Sequence, residues 1–389
     1  MDEERQTSHN VRIQEDYPMT ISIESTDIAI AEKEALVERL LRSTAGVFDI
    51  FTVYIGDRLG FYQVLADRGW LTSLELANAT RTHERYVREW LEQQTVSGIL
   101  EVENESADSI ERRFGLPVGH AEVLLEIDSL DYLAPIARLL VGVTRPIDAV
   151  LRAYRQGGGV PFREYGADFR EGQAGINRPM FLQELGSKWI PAMPDVCARL
   201  QDNPPARVAD IGCGGGWSSI GLAQAYPNVR VDGYDLDAAS VELARQNVRD
   251  ARLSDRVRIQ QRDAADFSLA GQYDLVMAFE CIHDMGNPVG ALTTMRHLAG
   301  ENGTVLVADE RVGETFTARG NNVEWMMYGW SVLHCLPVGM ADGAQCHCGG
   351  TGTVMRSQTL RRYARDAGFD RVEILPIDHV FFRFYRLQQ

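Results

Sequence analysis

The segment VADIGCGGGWSS, residues 208–219, contains the residue types that point most directly to ligand binding. Four glycines occupy the five positions from Gly212 to Gly216, directly after the mostly apolar run VADI, which contains one aspartate. Glycine tolerates left-handed backbone conformations and lets a ligand approach the main chain closely. Because a glycine turn between a strand and a helix is where open α/β sheets bind nucleotide-like ligands, the segment predicts a site of that kind.

The spacing of the glycines argues against two common nucleotide sites. A dinucleotide fold needs G-x-G-x-x-G or A, but the last position is Trp217 when counted from Gly212 and Ser219 when counted from Gly214. A phosphate-binding loop needs G-x-x-x-x-G-K followed by serine or threonine, and no lysine lies near the segment. Neither a dinucleotide nor a bare phosphate cradle is supported.

The remaining pattern, D-x-G-x-G-x-G beginning at Asp210, closely resembles the first motif of class I S-adenosylmethionine-dependent methyltransferases. In that family the next strand ends in an acidic residue that binds the ribose, which matches Asp235, and a later aspartate near the adenine matches Asp263. The resemblance implies S-adenosylmethionine as cofactor and S-adenosylhomocysteine as product. The implied cofactor contacts are Asp210, Gly212, Cys213, Gly214, Gly216, Asp235, Leu236, Asp263, Ala264 and Phe279.

Two of these acidic residues also have structural interpretations. Asp235 would instead cap the helix AASVELARQNV, although Asp237 is the better placed cap, and Asp263 would close a loop. The occurrence of three motifs in order on successive predicted strands favours the cofactor site.

A second resemblance concerns the segment from Asp274 to His283-Asp284. In plant-type small-molecule O-methyltransferases and in bacterial winged-helix methyltransferases, a strand that begins with aspartate is followed by a His-Asp pair, and here the interval from Asp274 to His283 is nine residues. The resemblance implies that His283 is the general base. It also implies that Asp309, at the end of the next strand, orients the imidazole, with Glu310 as an adjacent candidate and Asp284 beside the base.

A histidine whose pKa lies near the working pH suits the removal of a hydroxyl proton, and a neighbouring carboxylate fixes its tautomer. The structural alternative is that His283 and Asp284 only begin a helix, with Asp284 as its cap. Transfer to nitrogen, carbon or sulfur dispenses with a base, and Met285 stands where the plant type has tryptophan. O-methylation is the first hypothesis, and the other acceptor atoms stay open.

A long insertion, residues 311–352, follows the fifth predicted strand and contains VEWMMYGWSVLHCLP. Long chain segments at such positions commonly cover a site. We predict that this one covers the acceptor pocket, and the alternative is that its large apolar side chains only pack. The predicted acceptor contacts are Trp325, Tyr328, Trp330 and His334.

The six cysteines are scattered along a long chain whose N-terminus lacks the apolar stretch of a secretion signal, so free thiols are expected. The one cluster of metal-ligand residue types is His334-Cys335 together with Cys346-His347-Cys348. Its spacing departs from that of zinc sites and a glycine-rich stretch follows it, so no metal is predicted.

Composition limits the partners. The formal net charge of −16 repels polyanions, which makes nucleic acid a poor partner. No run of about 18 apolar residues occurs, so a membrane span is not supported and a cytoplasmic location is the default expectation. The expected partner is a small-molecule acceptor.

The elements that position these residues fall into three predicted segments: a mobile tail at 1–30, a helical and winged-helix domain at 31–159, and the methyltransferase domain at 160–389. The linker QGGGVP marks the boundary near Gly159. After it, strands and helices alternate, and the last two strands are too close in sequence for a parallel crossover. The fold class is therefore α/β, a Rossmann-like sheet of seven strands that ends in an antiparallel hairpin.

Residues 71–103 predict two helices around a tight turn followed by a strand, which outlines a helix-turn-helix with a wing. The second helix, HERYVREWLEQQ, has a net charge of −1 and lacks the basic face of a DNA reader. Dimerisation into a homodimer, or a role as a cap over the substrate, is therefore favoured over DNA binding. The rival hypothesis is a cofactor-binding transcriptional regulator whose methyltransferase fold does not catalyse.

Overall fold

The computed structural model describes residues 23–266, 268, 272–341 and 350–389. The chain divides into two units, residues 1–49 and 50–389. The first helix, α1 (Ile23–Leu59), begins inside the segment that the sequence predicted to be an irregular tail. The domain boundary near Gly159 stays a prediction.

The N-terminal part of the larger unit contains a small three-stranded antiparallel sheet and three short helices. Its elements are α2 (Phe61–Arg68), β1 (Leu71–Thr72), α3 (Ser73–Thr80), α4 (Glu84–Val96), β2 (Glu101–Val102) and β3 (Arg113–Gly115). The strand order is β1-β3-β2. Thr72 and Glu75 form a reciprocal cap at the start of α3, which fixes where the helix begins. The predicted helix-turn-helix with a wing is confirmed.

Helices connect this module to the large sheet. They are α5 (Val118–Leu125), α6 (Ala134–Thr144), α7 (Ile147–Gln156), α8 (Gly166–Gln183) and α9 (Pro194–Gln201). Gly172 lets α8 approach α6 closely, because a Cβ there would lie 2.7 Å from the backbone nitrogen of Leu139. This contact fixes the position of α8, which borders the candidate site.

The large sheet has seven strands in the order β6-β5-β4-β7-β8-β10-β9. Its strands and helices in chain order are β4 (Arg207–Ile211), α10 (Trp217–Ala225), β5 (Arg230–Asp235), α11 (Ala238–Asp250), β6 (Val257–Gln261), β7 (Leu275–Phe279), α12 (Pro288–Ala299), β8 (Thr304–Glu310), α13 (Asn322–Trp330), α14 (Leu336–Gly339), α15 (Ser357–Asp366), β9 (Arg371–Ile374) and β10 (Phe382–Gln388). Strands β4 to β8 are parallel, and β10 runs antiparallel between β8 and β9. The predicted sheet and its C-terminal hairpin are confirmed.

Apolar side chains cover both faces of the sheet. All residues of β7 and β8 are buried, as expected for parallel strands with helices on either side. On one face Trp189 packs against Phe279 and Phe384, and on the other Leu292 and Leu360 join the core under α12 and α15. The polar residues that follow the strands are thereby held at one edge, where the carboxyl ends of β4, β5, β7 and β8 meet.

Four of the six cysteines lie in the described ranges, and all four are free thiols, as predicted. None of the helices in the described part of the chain combines the length and the apolar character needed to cross a membrane.

Candidate cofactor and acid–base site

The glycine turn after β4 adopts the backbone that its sequence predicts. Gly212, Gly214 and Gly216 have φ values of 67°, 50° and 79°, in the left-handed region that favours glycine. A Cβ on Gly212 would lie 2.8 Å from the sulfur of Cys281, whereas a Cβ on Gly214 would meet no atom within 4 Å. The turn therefore packs on one side and faces open space at Gly214.

Asp235, at the end of β5, shapes this turn directly. One carboxylate oxygen accepts a 2.8 Å hydrogen bond from the backbone N–H of Gly214, and the other accepts the N–H of Asp237 at 2.9 Å. Burial raises the pKa of Asp235, although part of the residue stays accessible. Asp237 is the cap of α11, since its side chain accepts the N–H of Ser240. The interpretation of Asp235 as a cap is therefore wrong, and its carboxylate remains available to a ligand.

Asp210 differs from the sequence expectation. Its side chain is buried and accepts hydrogen bonds of 2.6 Å from the hydroxyls of both Ser218 and Ser219. Burial raises the pKa of this carboxyl to about 6. Asp210 thus ties the first turn of α10 to β4 and supports the glycine turn from below. A direct cofactor contact by this side chain has no support.

The other predicted cofactor residues differ in how exposed they are. Leu236 is 59% exposed beside the turn, and Asp263 is exposed and closes a short turn by accepting the N–H of Ala265. Ala264 is half-buried, whereas Cys213 and Phe279 are buried in the core. The ring of Phe279 packs against Trp189 and Phe181, so its predicted cofactor contact has no support from its side chain.

His283 lies in a short 3₁₀ turn, Ile282–Asp284, just after β7. Its Nδ1 is 2.6 Å from a carboxylate oxygen of Asp309 and 3.1 Å from one of Glu310, at the end of neighbouring β8. All three side chains are buried. The predicted pairing of His283 with Asp309 therefore exists in the structure, and Glu310 joins it.

The charges of this cluster are strongly coupled. Burial alone would lower the pKa of His283, but the carboxylates of Asp309 and Glu310 raise it well above its ordinary value. Burial opposes ionisation of Asp309 as well, yet the imidazolium brings its pKa below the usual range. Burial raises the pKa of Glu310 well above the ordinary value. The 2.6 Å hydrogen bond and these pKa directions favour a charged pair of His283 and Asp309, whereas burial disfavours a charge on Glu310.

These three residues also form the one group in the described part of the chain whose ligand atoms, all within 4.8 Å of one another, could hold a metal ion. Ligands about 2.1 Å from an ion at right angles would lie about 3.0 Å apart. The nitrogen–oxygen separation of 2.6 Å between His283 and Asp309 is shorter than this and matches a charge-assisted hydrogen bond. The geometry therefore favours an acid–base cluster.

Asp284 does not cap the following helix. Asn287 does so instead, because its side chain accepts the N–H of Gly290 at the start of α12. Burial raises the pKa of Asp284 to about 7, and part of the residue is accessible. The interpretation of Asp284 as the cap of that helix is therefore wrong.

The insertion does not bring its four predicted acceptor contacts together. Trp325 is 59% and Tyr328 38% exposed on α13, and Trp330 packs at the edge of the apolar cluster that contains Phe169. His334 lies in a π-helical turn, Ser331–Cys335, where it is buried and stacked on Phe169 with ring centres 4.1 Å apart. The charge of His283 contributes to lowering the pKa of His334.

His334 and Cys335 line the insertion side of the base. Burial lowers the pKa of His334 to about 3, so the ring is neutral, and its Nε2 has no hydrogen-bond partner among the described residues. Burial raises the pKa of the Cys335 thiol, while contact with His283 opposes this rise. The segment Cys346-His347-Cys348, for which the sequence predicts no metal, lies outside the described residues.

Sequence reasoning missed three polar residues of this region. Glu280, between β7 and His283, accepts hydrogen bonds from the side-chain amides of Gln173 and Asn177 on α8. An acidic residue directly after the apolar run LVMAF was a signal for Glu280. Nothing local marked the two α8 residues, because their importance comes from a contact across more than one hundred residues of chain.

Comparisons with known proteins agree with this geometry. Residues 202–367 match the model of a methyltransferase domain family, and residues 50–125 match that of the Rv2258c-like winged HTH domain. The polyketide synthase ThaQ of Burkholderia thailandensis is 33% identical over 104 residues, which are 27% of this chain and 5% of that protein. A ubiquinone biosynthesis O-methyltransferase of Azoarcus sp. is 27% identical over 168 residues, 43% of this chain and 66% of that enzyme. Both matches span less than two thirds of the relative.

Solved structures show the same fold over nearly the whole chain. The mitomycin 7-O-methyltransferase MmcR superposes with a TM-score of 0.66 at 19% identity, covering 92% of this chain and 99% of that one. The O-methyltransferase NcsB1 from neocarzinostatin biosynthesis, in complex with S-adenosylhomocysteine and 1,4-dihydroxy-2-naphthoic acid, gives 0.57 at 17% identity, covering 87% and 95%.

Residues 202–367 thus match a methyltransferase domain and have the class I methyltransferase fold, and residues 50–125 match a winged helix-turn-helix domain. S-adenosylmethionine is the cofactor that this domain implies. The turn fits that group, because the space beside Gly214 is open and the carboxylate of Asp235 borders it.

Proposed function

We propose that the chain is an S-adenosylmethionine-dependent methyltransferase that acts on a hydroxyl group of a small-molecule acceptor. The observation that carries this proposal is the buried 2.6 Å hydrogen bond between His283 and Asp309, at the end of the strand next to the glycine turn. A histidine held in this way can remove a proton from a hydroxyl during attack on a methyl group.

Each residue of the site then has a task. The glycine turn and Asp235 hold the cofactor, which supplies a methyl group activated for in-line transfer. The imidazole of His283 receives the hydroxyl proton, and Asp309 fixes its orientation and stabilises the imidazolium that results. Only the neutral form of this imidazole can accept that proton.

The relatives favour an aromatic hydroxyl as the acceptor group. The Azoarcus relative is named for O-methylation in ubiquinone biosynthesis, and NcsB1 was solved with a dihydroxynaphthoic acid. The neutral ring of His334, stacked on Phe169 near the base, suits contact with such an acceptor.

Homodimerisation through the N-terminal domain is part of the proposal. Helix α1 exposes a series of large apolar side chains that a second copy would cover, each at least 43% exposed: Ile28, Ile30, Leu36, Val37, Leu40, Leu41, Val47 and Phe48. The mass in solution of the unaltered chain and of a Leu40→Glu variant, measured by light scattering, tests this part.

The second candidate function is a transcriptional regulator, favoured by the match of residues 50–125 to a winged HTH domain. The charges on α4 oppose it. Arg85 pairs with Glu89, and Arg88 pairs with Glu84, so the helix offers little unbalanced positive charge to phosphate groups.

Transfer of an isotopically labelled methyl group from S-adenosylmethionine tests the enzymatic proposal. The purified chain is incubated with hydroxylated aromatic compounds and with matched amines and thiols, and products are identified by mass spectrometry. The proposal expects a methyl ether that depends on the intact chain. Methylation of amines or thiols alone would contradict the hydroxyl assignment.

A further inference from the structure

The hydrogen-bond donors to the Glu280 carboxylate among the described residues are neutral. Glu280 directly follows β7, and its carboxylate accepts hydrogen bonds from the side chains of Gln173, at 3.1 Å, and of Asn177. Both donors are neutral amides on α8. Its backbone has a φ of 51°, in the left-handed region that residues other than glycine rarely adopt. Such a conformation persists only where the surrounding structure enforces it.

The surroundings leave this carboxylate short of positive charge. Burial raises the pKa of Glu280 to about 7, and the charge of Asp309 adds to this rise. The two amides and the charge of His283 favour ionisation and oppose the rise. Part of the residue nevertheless remains accessible. A desolvated carboxylate that is held by neutral donors is suited to receive a cation.

The position of Glu280 in the sheet indicates which ligand group would reach it. Cys281, the next residue, donates a 3.3 Å hydrogen bond to the carbonyl of Ile211 and abuts Gly212. Ala174 on α8 lies against Gly215, because a Cβ added to Gly215 would lie 2.6 Å from the Cβ of Ala174. Glu280 and the helix that holds it therefore border the glycine turn.

The strand order extends this placement. Along the sheet, the residues after β6, β5, β4 and β7 are in turn the predicted adenine contact Asp263, the predicted ribose contact Asp235, the glycine turn and Glu280. The base His283 and its partner on β8 come next. A cofactor laid along this edge has its amino-acid portion between the glycine turn and the base, beside Glu280.

We propose that the carboxylate of Glu280, oriented by Gln173 and Asn177, binds the α-ammonium group of the cofactor's methionine portion. This inference rests on the proposed function, because it takes the cofactor to be S-adenosylmethionine. Gln173 and Asn177 are positioning residues, and Glu280 makes the ionic contact. The subsite recognises a primary ammonium group beside an adenosyl thioether.

Two ligands separate this contact from the rest of the site. S-adenosylhomocysteine carries the ammonium but no sulfonium charge, whereas 5′-deoxy-5′-methylthioadenosine keeps the adenosyl thioether and lacks the amino acid. Binding of both is measured by calorimetry to the unaltered chain and to Glu280→Gln, with Glu373→Gln, a surface change on β9, as the matched control. Circular dichroism checks that each variant folds, and Glu280→Asp, which keeps the charge, serves if the glutamine variant does not.

The proposal expects Glu280→Gln to weaken S-adenosylhomocysteine binding about tenfold or more, the order of magnitude of a lost hydrogen bond between charged groups, and to change methylthioadenosine binding less than about threefold. If Glu280→Gln does not fold, Glu280→Asp is used instead. We expect this variant as well to weaken the binding of S-adenosylhomocysteine selectively. Equal weakening of both ligands, or of neither, overturns the assignment. Weakening of S-adenosylmethionine binding without weakening of S-adenosylhomocysteine binding, measured in a third titration, overturns it in favour of a sulfonium contact. Failure of the unaltered chain to bind either ligand removes the proposed function itself.

Discussion

His283 and Asp309 meet in a buried hydrogen bond of 2.6 Å between Nδ1 and a carboxylate oxygen, although 26 positions separate them in the chain. Parallel pairing of β7 with β8 brings the two together, because both follow or end strands whose carboxyl ends lie at the same edge. The catalytic part of the proposed function depends on this pair.

Replacement of the base tests its role. We expect His283→Ala to reduce methyl transfer at least about a hundredfold, because a positioned general base contributes about that much or more. Binding of S-adenosylhomocysteine is expected to stay unchanged, since the glycine turn is intact. His297→Ala, an exposed histidine on α12, is the matched control. Near-normal turnover of the His283 variant would remove this residue from the mechanism.

The pH dependence of the rate tests the coupling of the cluster. The carboxylates of Asp309 and Glu310 raise the pKa of His283 well above 6.5, and only the neutral imidazole accepts a proton. The rate is therefore low below this pKa and rises as pH increases through it. Asp309→Asn removes a negative charge, so we expect the acid limb of the kcat/KM profile to move to lower pH and the plateau rate to fall. An acid limb at the same pH in both proteins would show that Asp309 does not govern this titration.

The open side of the glycine turn gives a test that separates binding from folding. Gly214→Ala adds a methyl group that meets no protein atom, so its folding penalty is the left-handed conformation alone, about 1–2 kcal/mol. We expect cofactor affinity to fall about tenfold, the order of an overpacking cost of about 1–3 kcal/mol. Gly98→Ala, which has φ 81° and open space in the winged-helix domain, matches the strain. Unchanged affinity of the Gly214 variant would place the cofactor elsewhere.

The charge pairs on α4 predict weak contact with DNA. We expect fluorescence anisotropy to show no binding of a mixed-sequence duplex at sub-micromolar protein and physiological salt, because Arg85 and Arg88 already pair with glutamates. Removing those partners in Glu84→Gln and Glu89→Gln should raise any residual affinity. Tight, salt-dependent binding by the unaltered chain would favour the regulator instead.

The sheet could be predicted from the sequence because its strands are short apolar runs, such as LVMAF, separated by helices and turn residues. The glycine turn could be predicted as well, since only glycine suits three left-handed positions so close together. The direction in which individual side chains point could not be predicted from the sequence. Asp210 and Asp235 both end strands, yet one turns toward the serines of α10 and the other toward the glycine turn.

The insertion shows a second limit. In VEWMMYGW apolar residues occupy most positions, so no helical period identifies the buried face, and the exposed Trp325 was predicted to line a pocket. Met327 and Glu324 are the buried residues, the latter paired with Arg356. The importance of Glu280 is shown by its contacts with α8, and a contact between elements distant in the chain leaves no local sequence pattern.

Calorimetric titration of S-adenosylhomocysteine into the unaltered chain and into Asp235→Ala tests the central claim most directly. Asp235 holds the glycine turn and borders the predicted ribose position, so its loss should weaken binding by about tenfold or more. The control is Asp250→Ala, an exposed acid at the end of α11. We predict saturable binding of one ligand per chain that weakens in the Asp235 variant alone. Absence of saturable binding to the unaltered chain, or equal affinity of the Asp235 variant, would contradict the account.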